Sequence, residues 1–219
     1  MIKHLPHQAH RVTPWANGRG ETLEVARLER GGELQWRLSI ATVSEDGPFS
    51  YLPDLERCLT VLSGEGFDLE RDLERDLERE EREAPPLPIA PDEPWPRPCR
   101  PLTPVYFSGA LRVRAARTGG LRSEDLNVMT RRGLPPPDVR AFSHLPAPMA
   151  LGVGEGELLC VVSLGGVRAS SGGGGEPLTL SRLDVLLSDE GVTLDGGGCV
   201  LIRARGVLEV LEVFGLSIY

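Results

Sequence analysis

Apolar and polar positions alternate along this chain in a series of short runs. In DLNVMTR (125–131) an extended backbone points successive side chains to opposite sides, so Leu126, Val128 and Thr130 share one face and Asn127, Met129 and Arg131 the other. Strand-like runs also occupy 21–28, 34–43, 57–62, 110–117, 157–164, 183–188, 191–194, 199–204 and 207–214. Gly, Pro, Asp and Asn separate them, and no strong amphipathic helix interrupts the series. Many short strands at even spacing predict an all-β sandwich or barrel. VLEVLEVF (207–214) also fits helical spacing, but its shortness and β-branched content favour a strand.

One stretch breaks the pattern. DLER repeats three times from Asp68 to Arg79, a fourth copy stands at 54–57, and nine prolines follow between 85 and 104. In a helix the repeat sets like charges at i,i+4, whereas in a strand Leu69, Arg71, Leu73 and Arg75 share a face with the acids opposite. The prolines oppose helix and ladder pairing, so 72–104 is expected to be a solvated, polyproline-like surface excursion. Docking of a basic partner by the acidic arm is the functional alternative. Gly172–Gly175 predict a second flexible turn.

The polar faces raise the chemical question. In QWRLSIATV, alternation places Trp36, Leu38 and Ile40 on one side and Arg37, Ser39 and Ala41 on the other, matching Asn127 and Arg131 in type and spacing. Arginines turned into one barrel need a partner, because an unpaired buried guanidinium costs several kcal/mol. A carboxylate ligand would supply it through a bidentate bond, with Ser39 and Asn127 reading its remaining oxygens. Alternation equally allows these arginines to face solvent or to pair with the chain's own acids. Arg132 falls on the opposite face.

Composition narrows the choices. Of the net charge of −8, the run 68–83 carries −5 from nine acids and four arginines, leaving −3 for the rest, which argues against a nucleic-acid partner. The 219 residues are enough to bury a sizeable core, and 26 Gly with 19 Pro fit many turns and little helix. Cys58, Cys99, Cys160 and Cys199 lie far apart with no CxxC pair, so reduced thiols packed as small hydrophobes, and a cytoplasmic setting, are expected. The N-terminus lacks an apolar signal region and LLCVVSL (158–164) is too short to span a bilayer, so no membrane association is expected. Whether the chain forms a homo-oligomer is left open.

Other chemistries find little support. His4, His7 and His10 suggest a metal, but no CxxC or carboxylate cluster stands nearby, and a surface strand or loose chain end accounts for them. Neither WANGRG (15–20) nor GVGEGE (152–157) completes a phosphate-binding loop. There is no GxSxG elbow, and His144 is the one histidine beyond the first ten residues.

Four segments taken together, TPWANGRGETLEVARL, WRLSIATVSEDGPFSYLPDLERCLTVLSGEG, PVYFSGALRV and DLNVMTRRG, resemble the HutD/Ves family over about residues 11–134, with a weaker likeness in LSRLDVLLSDEGVTLDGGGCVLIRA. The resemblance implies a cupin-like, bicupin-type body of two jelly-roll lobes, drawn here as 1–134 and 135–219. It also implies a link to bacterial histidine utilisation, through binding of a small acidic intermediate such as formylglutamate that moderates flux or induction. Where the family usually has Trp-Lys-Asn-Gly-Gly-Gly, this chain has Trp15, Ala16, Asn17, Gly18, Arg19 and Gly20, losing a lysine and gaining an arginine. Metal-dependent cupins carry a His-x-His pair, which is absent here.

The expectation is therefore a metal-free, cofactor-free cupin-like binder of a small carboxylate. Arg37 and Arg131 pair with the anion, Ser39 and Asn127 donate hydrogen bonds, Trp15 and Phe49 form apolar walls, and Asn17 lies at the rim. A metal-free isomerase or hydrolase using a carboxylate or tyrosine base is the enzymatic alternative.

Overall fold

The computed structural model describes residues 2–14, 21–72, 94–172, 176–206 and 217–218. Along them run β1 (Ile2–Leu5), a 3-10 turn (His7–Ala9), β2 (Arg11–Pro14), β3 (Glu21–Arg30), β4 (Glu33–Val43), β5 (Gly47–Pro48), β6 (Leu55–Ser63), β7 (Phe67–Arg71), β8 (Arg97–Cys99), β9 (Val105–Ser108) and β10 (Val113–Ala116). There follow β11 (Ser123–Arg131), β12 (Asp138–Phe142), β13 (Met149–Leu151), β14 (Glu157–Gly165), β15 (Val167–Ser171), β16 (Leu178–Leu180), β17 (Val185–Ser188), β18 (Val192–Asp195), β19 (Gly198–Arg205) and β20 (Ser217–Ile218). The protein is all-β with antiparallel sheets, as the alternation predicts. The run 207–214 lies outside the described residues. Among those described, no helix is long and apolar enough to cross a membrane, a statement about helices and not about strands.

Contacts divide the chain into a first unit, Met1–Arg11, Glu24–Arg37 and Leu134–Tyr219, and a second, Val12–Leu23 and Leu38–Gly133. This is not a single cut at residue 134, because two N-terminal segments cluster with the C-terminal strands. In the first unit a five-stranded sheet, β1-β17-β14-β19-β12, and a four-stranded sheet, β13-β18-β15-β16, enclose a core that includes Leu159, Val161, Leu180, Leu186, Leu194 and Leu201. Buried positions alternate with exposed or half-buried ones along β15 and β18, whereas β14, β17 and β19 are buried at nearly every residue.

The core of the second unit gathers Val43, Leu59, Val61, Phe67, Leu69, Val105, Phe107 and Val113. It takes strands from two sheets, β5-β10-β7-β8 and β2-β3-β4-β11-β6-β9, the latter also pairing β20 with β3. The β6–β11 ladder sets Arg57 opposite Met129, Leu59 opposite Asn127 and Val61 opposite Asp125, and β9 sets Phe107 beside Arg57. Directly paired residues share a face, so Arg57, Asp125 and Asn127 stand on the same side as core residues Leu59, Val61 and Phe107.

Two expectations need correcting. The stretch 72–104 is not a surface excursion throughout: β8 lies within it, pairs with β7 and buries Arg97 and Cys99. Proline is tolerated there because β8 is an edge strand, where Pro98 needs no outward N–H partner. Gly66 makes the docking close: at φ +82 it leaves room for the Cys99 carbonyl, which would lie 2.0 Å from an added Cβ. Residues 73–93, with the later DLER copies, and Gly173–Gly175 lie outside the described residues.

The other correction concerns His10. Rather than lying on the surface it is buried. The His7 ring meets it edge-on at 5.6 Å. Asp184 anchors the same segment, accepting from the His7 N–H at 2.8 Å and lying 3.1 Å from His4 Nε2. Burial, followed by the charge of His7, pushes the His10 imidazole from 6.5 down to about 4.

Because unfolded His10 binds its proton near 6.5 and folded His10 near 4, its contribution to stability is complete above pH 6.5 and is lost as pH falls toward 4. The loss is on the order of 2 kcal/mol, and thermal melts across this window should show His10→Leu less acid-sensitive than wild type. Gly66→Ala should lower stability by more than about 2 kcal/mol in chemical denaturation, since strain and the Cys99 carbonyl clash add; a neutral result would mean that β8 is not held this way.

Candidate anion site in the second unit

The polar face of β11 turns into the core of the second unit, and the guanidinium that meets it belongs to Arg57. Arg57 is the first inward-facing residue of β6 after Leu55, and only 4% of it is exposed. Its Cζ lies 5.1 Å from the Phe49 ring centroid and 4.9 Å from that of Phe107, so its faces are covered by aromatic rings while its edge makes hydrogen bonds. Nη2 donates to Asn127 Oδ1 at 2.6 Å, and Nη1 approaches the Ser50 carbonyl at 3.4 Å. The Phe49 N–H donates to the Val113 carbonyl at 2.9 Å, fixing the segment that carries both the ring and that carbonyl.

Asn127 is oriented from both ends. Its Oδ1 faces Arg57, and its Nδ2 donates to Asp125 Oδ1. Asp125 is wholly buried, and its Oδ2 has no hydrogen-bond partner. Burial pushes this carboxyl up to about 7, against the opposing influences of Arg57 and the Asn127 hydrogen bond. The nearby Cys99 thiol, on β8, is pushed up to about 12 by burial and by the charges of Asp125 and Asp68, so it stays protonated. The arrangement can present a fixed cation, an amide and a carboxyl that changes charge near neutrality. Among the described residues no group of three or more His, Cys, Asp or Glu side chains could hold a metal.

The residues singled out from the sequence separate here. Asn127 and Phe49 come together around Arg57, and Ser39 is buried on the face of β4 that also carries core residue Val43. Arg131 stands at the end of β11, half-buried, one inward step beyond Met129. Arg37 does not await an anion: its Nε donates to Glu24 Oε2 at 2.6 Å. The hairpin turning at Gly31 and Gly32, both with positive φ, folds Glu24 back to it. Trp15 and Asn17 lie outside the described residues. Arg132 does take the opposite face, but not as a bystander: it pairs with buried Glu56 at 3.2 Å and donates to Ser108 Oγ at 2.8 Å.

Sequence reasoning missed Arg57 and Asp125. Arg57 was within reach, since it opens the run RCLTVL in phase with Leu59 and Val61.

The HutD family model matches residues 7–201. Protein Ves of Cronobacter sakazakii is 31% identical over 131 residues, 60% of this chain and 59% of that protein. Protein Ves of Citrobacter koseri is 32% identical over 122 residues, 55% and 53% of the two chains. The chain thus spans under two thirds of the length of these curated relatives. A conserved protein of Pseudomonas aeruginosa PAO1 superposes with a TM-score of 0.70 at 24% identity, covering 94% of this chain and 98% of that one. HutD from Pseudomonas fluorescens SBW25, in a formate condition, gives 0.67 at 24%, covering 94% and 99%. A nickel(II) complex of the bacterial pirin YhhW from Escherichia coli gives 0.52 at 8%, covering 94% and 99%. At these identities the likeness is one of fold, an all-β fold with cupin- and pirin-like neighbours.

The Arg132–Glu56 pair yields a prediction. Burial raises the Glu56 carboxyl and Arg132 opposes that rise, so Arg132→Ala should cost about 1–3 kcal/mol by leaving a buried acid without its cation. In urea denaturation, adding Glu56→Gln to that variant should recover part of the loss; no recovery would mean that Arg132 acts through packing alone.

Proposed function

The chain belongs to the HutD family, and on that premise we propose that it binds a small carboxylate metabolite of the formylglutamate type in its second unit. Through that binding it moderates histidine utilisation. The observation that carries this reading is the Arg57 guanidinium, buried between Phe49 and Phe107 and held in orientation by Asn127. A guanidinium fixed in this way matches a carboxylate in shape and charge, and fixing it beforehand reduces the entropy lost on binding. Arg57 thus takes the role first expected of Arg37, with Asn127 as hydrogen-bonding partner, Phe49 as apolar wall and Arg131 and Ser39 at the margins.

In this reading the two units are two cupin-like lobes of a bicupin-type body. The four cysteines are free and buried, which suits a reducing cytoplasm. Carboxylate recognition of this kind relies on a guanidinium and hydrogen bonds, without a metal.

One observation favours a second reading. Asp125, pushed up to about 7, has the proton affinity of a general base near neutral pH, which would suit a metal-free isomerase or hydrolase acting on the same acid. NMR of formylglutamate with stoichiometric protein separates the two: an unchanged spectrum of the acid over hours supports a binder, and new resonances support an enzyme.

The binding reading predicts that formylglutamate at a hundredfold its Kd stabilises the fold by about 2.7 kcal/mol, raising Tm by roughly 5–10 °C. Arg57→Ala, confirmed folded by circular dichroism, should lose about 2–5 kcal/mol of binding free energy, and Arg57→Lys should restore only part of it. Absence of a shift with formylglutamate, glutamate, urocanate and formate alike would remove the reading.

A further inference from the structure

We propose that Asp125 is the proton-carrying member of the anion site: seating a carboxylate beside Arg57 is accompanied by uptake of one proton from solvent onto Asp125 Oδ2. This deepens the carboxylate-binding reading and rests on it. No covalent bond to carbon forms or breaks, and the proton comes from the buffer.

The geometry is that of a shared cation. Arg57 is joined to Asp125 through Asn127, whose amide presents its oxygen to the guanidinium and its nitrogen to Asp125 Oδ1. The remaining oxygen, Oδ2, is shielded from solvent and has no donor or acceptor within hydrogen-bond reach. An ionised carboxylate is poorly served there, because one of its oxygens would be buried without a hydrogen bond. A neutral carboxyl with its proton on Oδ2 avoids that cost and offers an O–H to an oxygen of the incoming ligand. Once a ligand carboxylate draws on Arg57, two anions would share one guanidinium in a dry interior, and like charges at close range favour protonation of one of them.

The surroundings single out Asp125. On β6 the charged residue facing it is Arg57, while Phe107 of β9, Ser39 of β4 and Phe49 after β5 bring no charge. From β8 come Arg97 and Cys99, with Arg100 just beyond; Arg97 donates to the Tyr106 carbonyl, and the Cys99 thiol stays protonated. Asp68 of β7 is held by Arg100 at 3.1 Å and Arg117 at 3.0 Å. All four histidines of the chain, His4, His7, His10 and His144, belong to the other unit. Burial places the Asp125 carboxyl at about 7, which leaves it as the group of this site poised to change charge near neutrality.

The test is calorimetric titration of the full chain with formylglutamate at pH 7.5 in phosphate, imidazole and Tris, whose ionisation enthalpies differ. Binding enthalpy should rise linearly with buffer ionisation enthalpy, with a slope of about 0.7–1 proton taken up, and affinity should fall about tenfold per pH unit well above neutrality. In Asp125→Asn both the slope and the pH dependence should vanish, whatever affinity remains. Should that variant not fold, carbon-detected NMR of the unmodified protein reads the same quantity: the Asp125 carboxyl should ionise at higher pH with ligand than without. Binding with zero slope in the wild type, or an Asp125 titration that ligand leaves in place, overturns the proposal and leaves the carboxylate reading standing. No heat and no thermal shift with any acid overturns both.

Discussion

The second unit is organised around a cation that water cannot reach. Moving Arg57 into an apolar core would be prohibitive if nothing met its charge and donors, and the interior of this unit is arranged to meet them. Phe49 and Phe107 cover the guanidinium faces, and Asn127 takes one edge and hands its own amide to Asp125. That chain of contacts constrains the register of β6 against β11, because a slip by one residue would send Asp125 and Asn127 to the other face and leave the guanidinium facing Leu126 and Val128. Buried polar networks of this kind contribute little net stability, but they leave few alternative packings.

The long strands were legible from two signals. β4 and β11 alternate over eight residues or more, whereas β14 and β19 read as short apolar runs bounded by turn residues. The strands that escaped detection are short, such as β13 and β16, or contain proline, as β8 does, where the edge position rather than the residue pattern permits pairing. On β11 alternation separates Asn127 from Leu126 and Val128 but does not say which face is buried, and in the fold both are.

The partners were harder to read than the faces. Alternation says that a side chain points inward, but not which strand lies across from it. Arg37 and Arg57 both sit on strands with a polar inward phase; one finds Glu24 through a local hairpin, and the other finds Asn127 seventy residues away. The hairpin pairing could have been worked out from the two glycines at the turn. The pairing of β6 with β11 is non-local and depends on sheet order, which periodicity does not carry. Asp125 was hidden for a different reason: an acid at a strand entrance ordinarily faces water, and only the closed interior makes it a buried acid.

The pairing of β7 with β8 has a consequence for anyone wishing to re-engineer this chain. Leu69 lies directly across from Arg97 at the edge of the four-stranded sheet, so the 27 residues between them leave and re-enter at neighbouring points. A connection whose ends already meet can be lengthened with only a slowly growing entropic penalty. The connection beyond β7 can therefore change in length while Arg57 and its partners keep their places. The same spot is a natural place to graft in a foreign reporter domain.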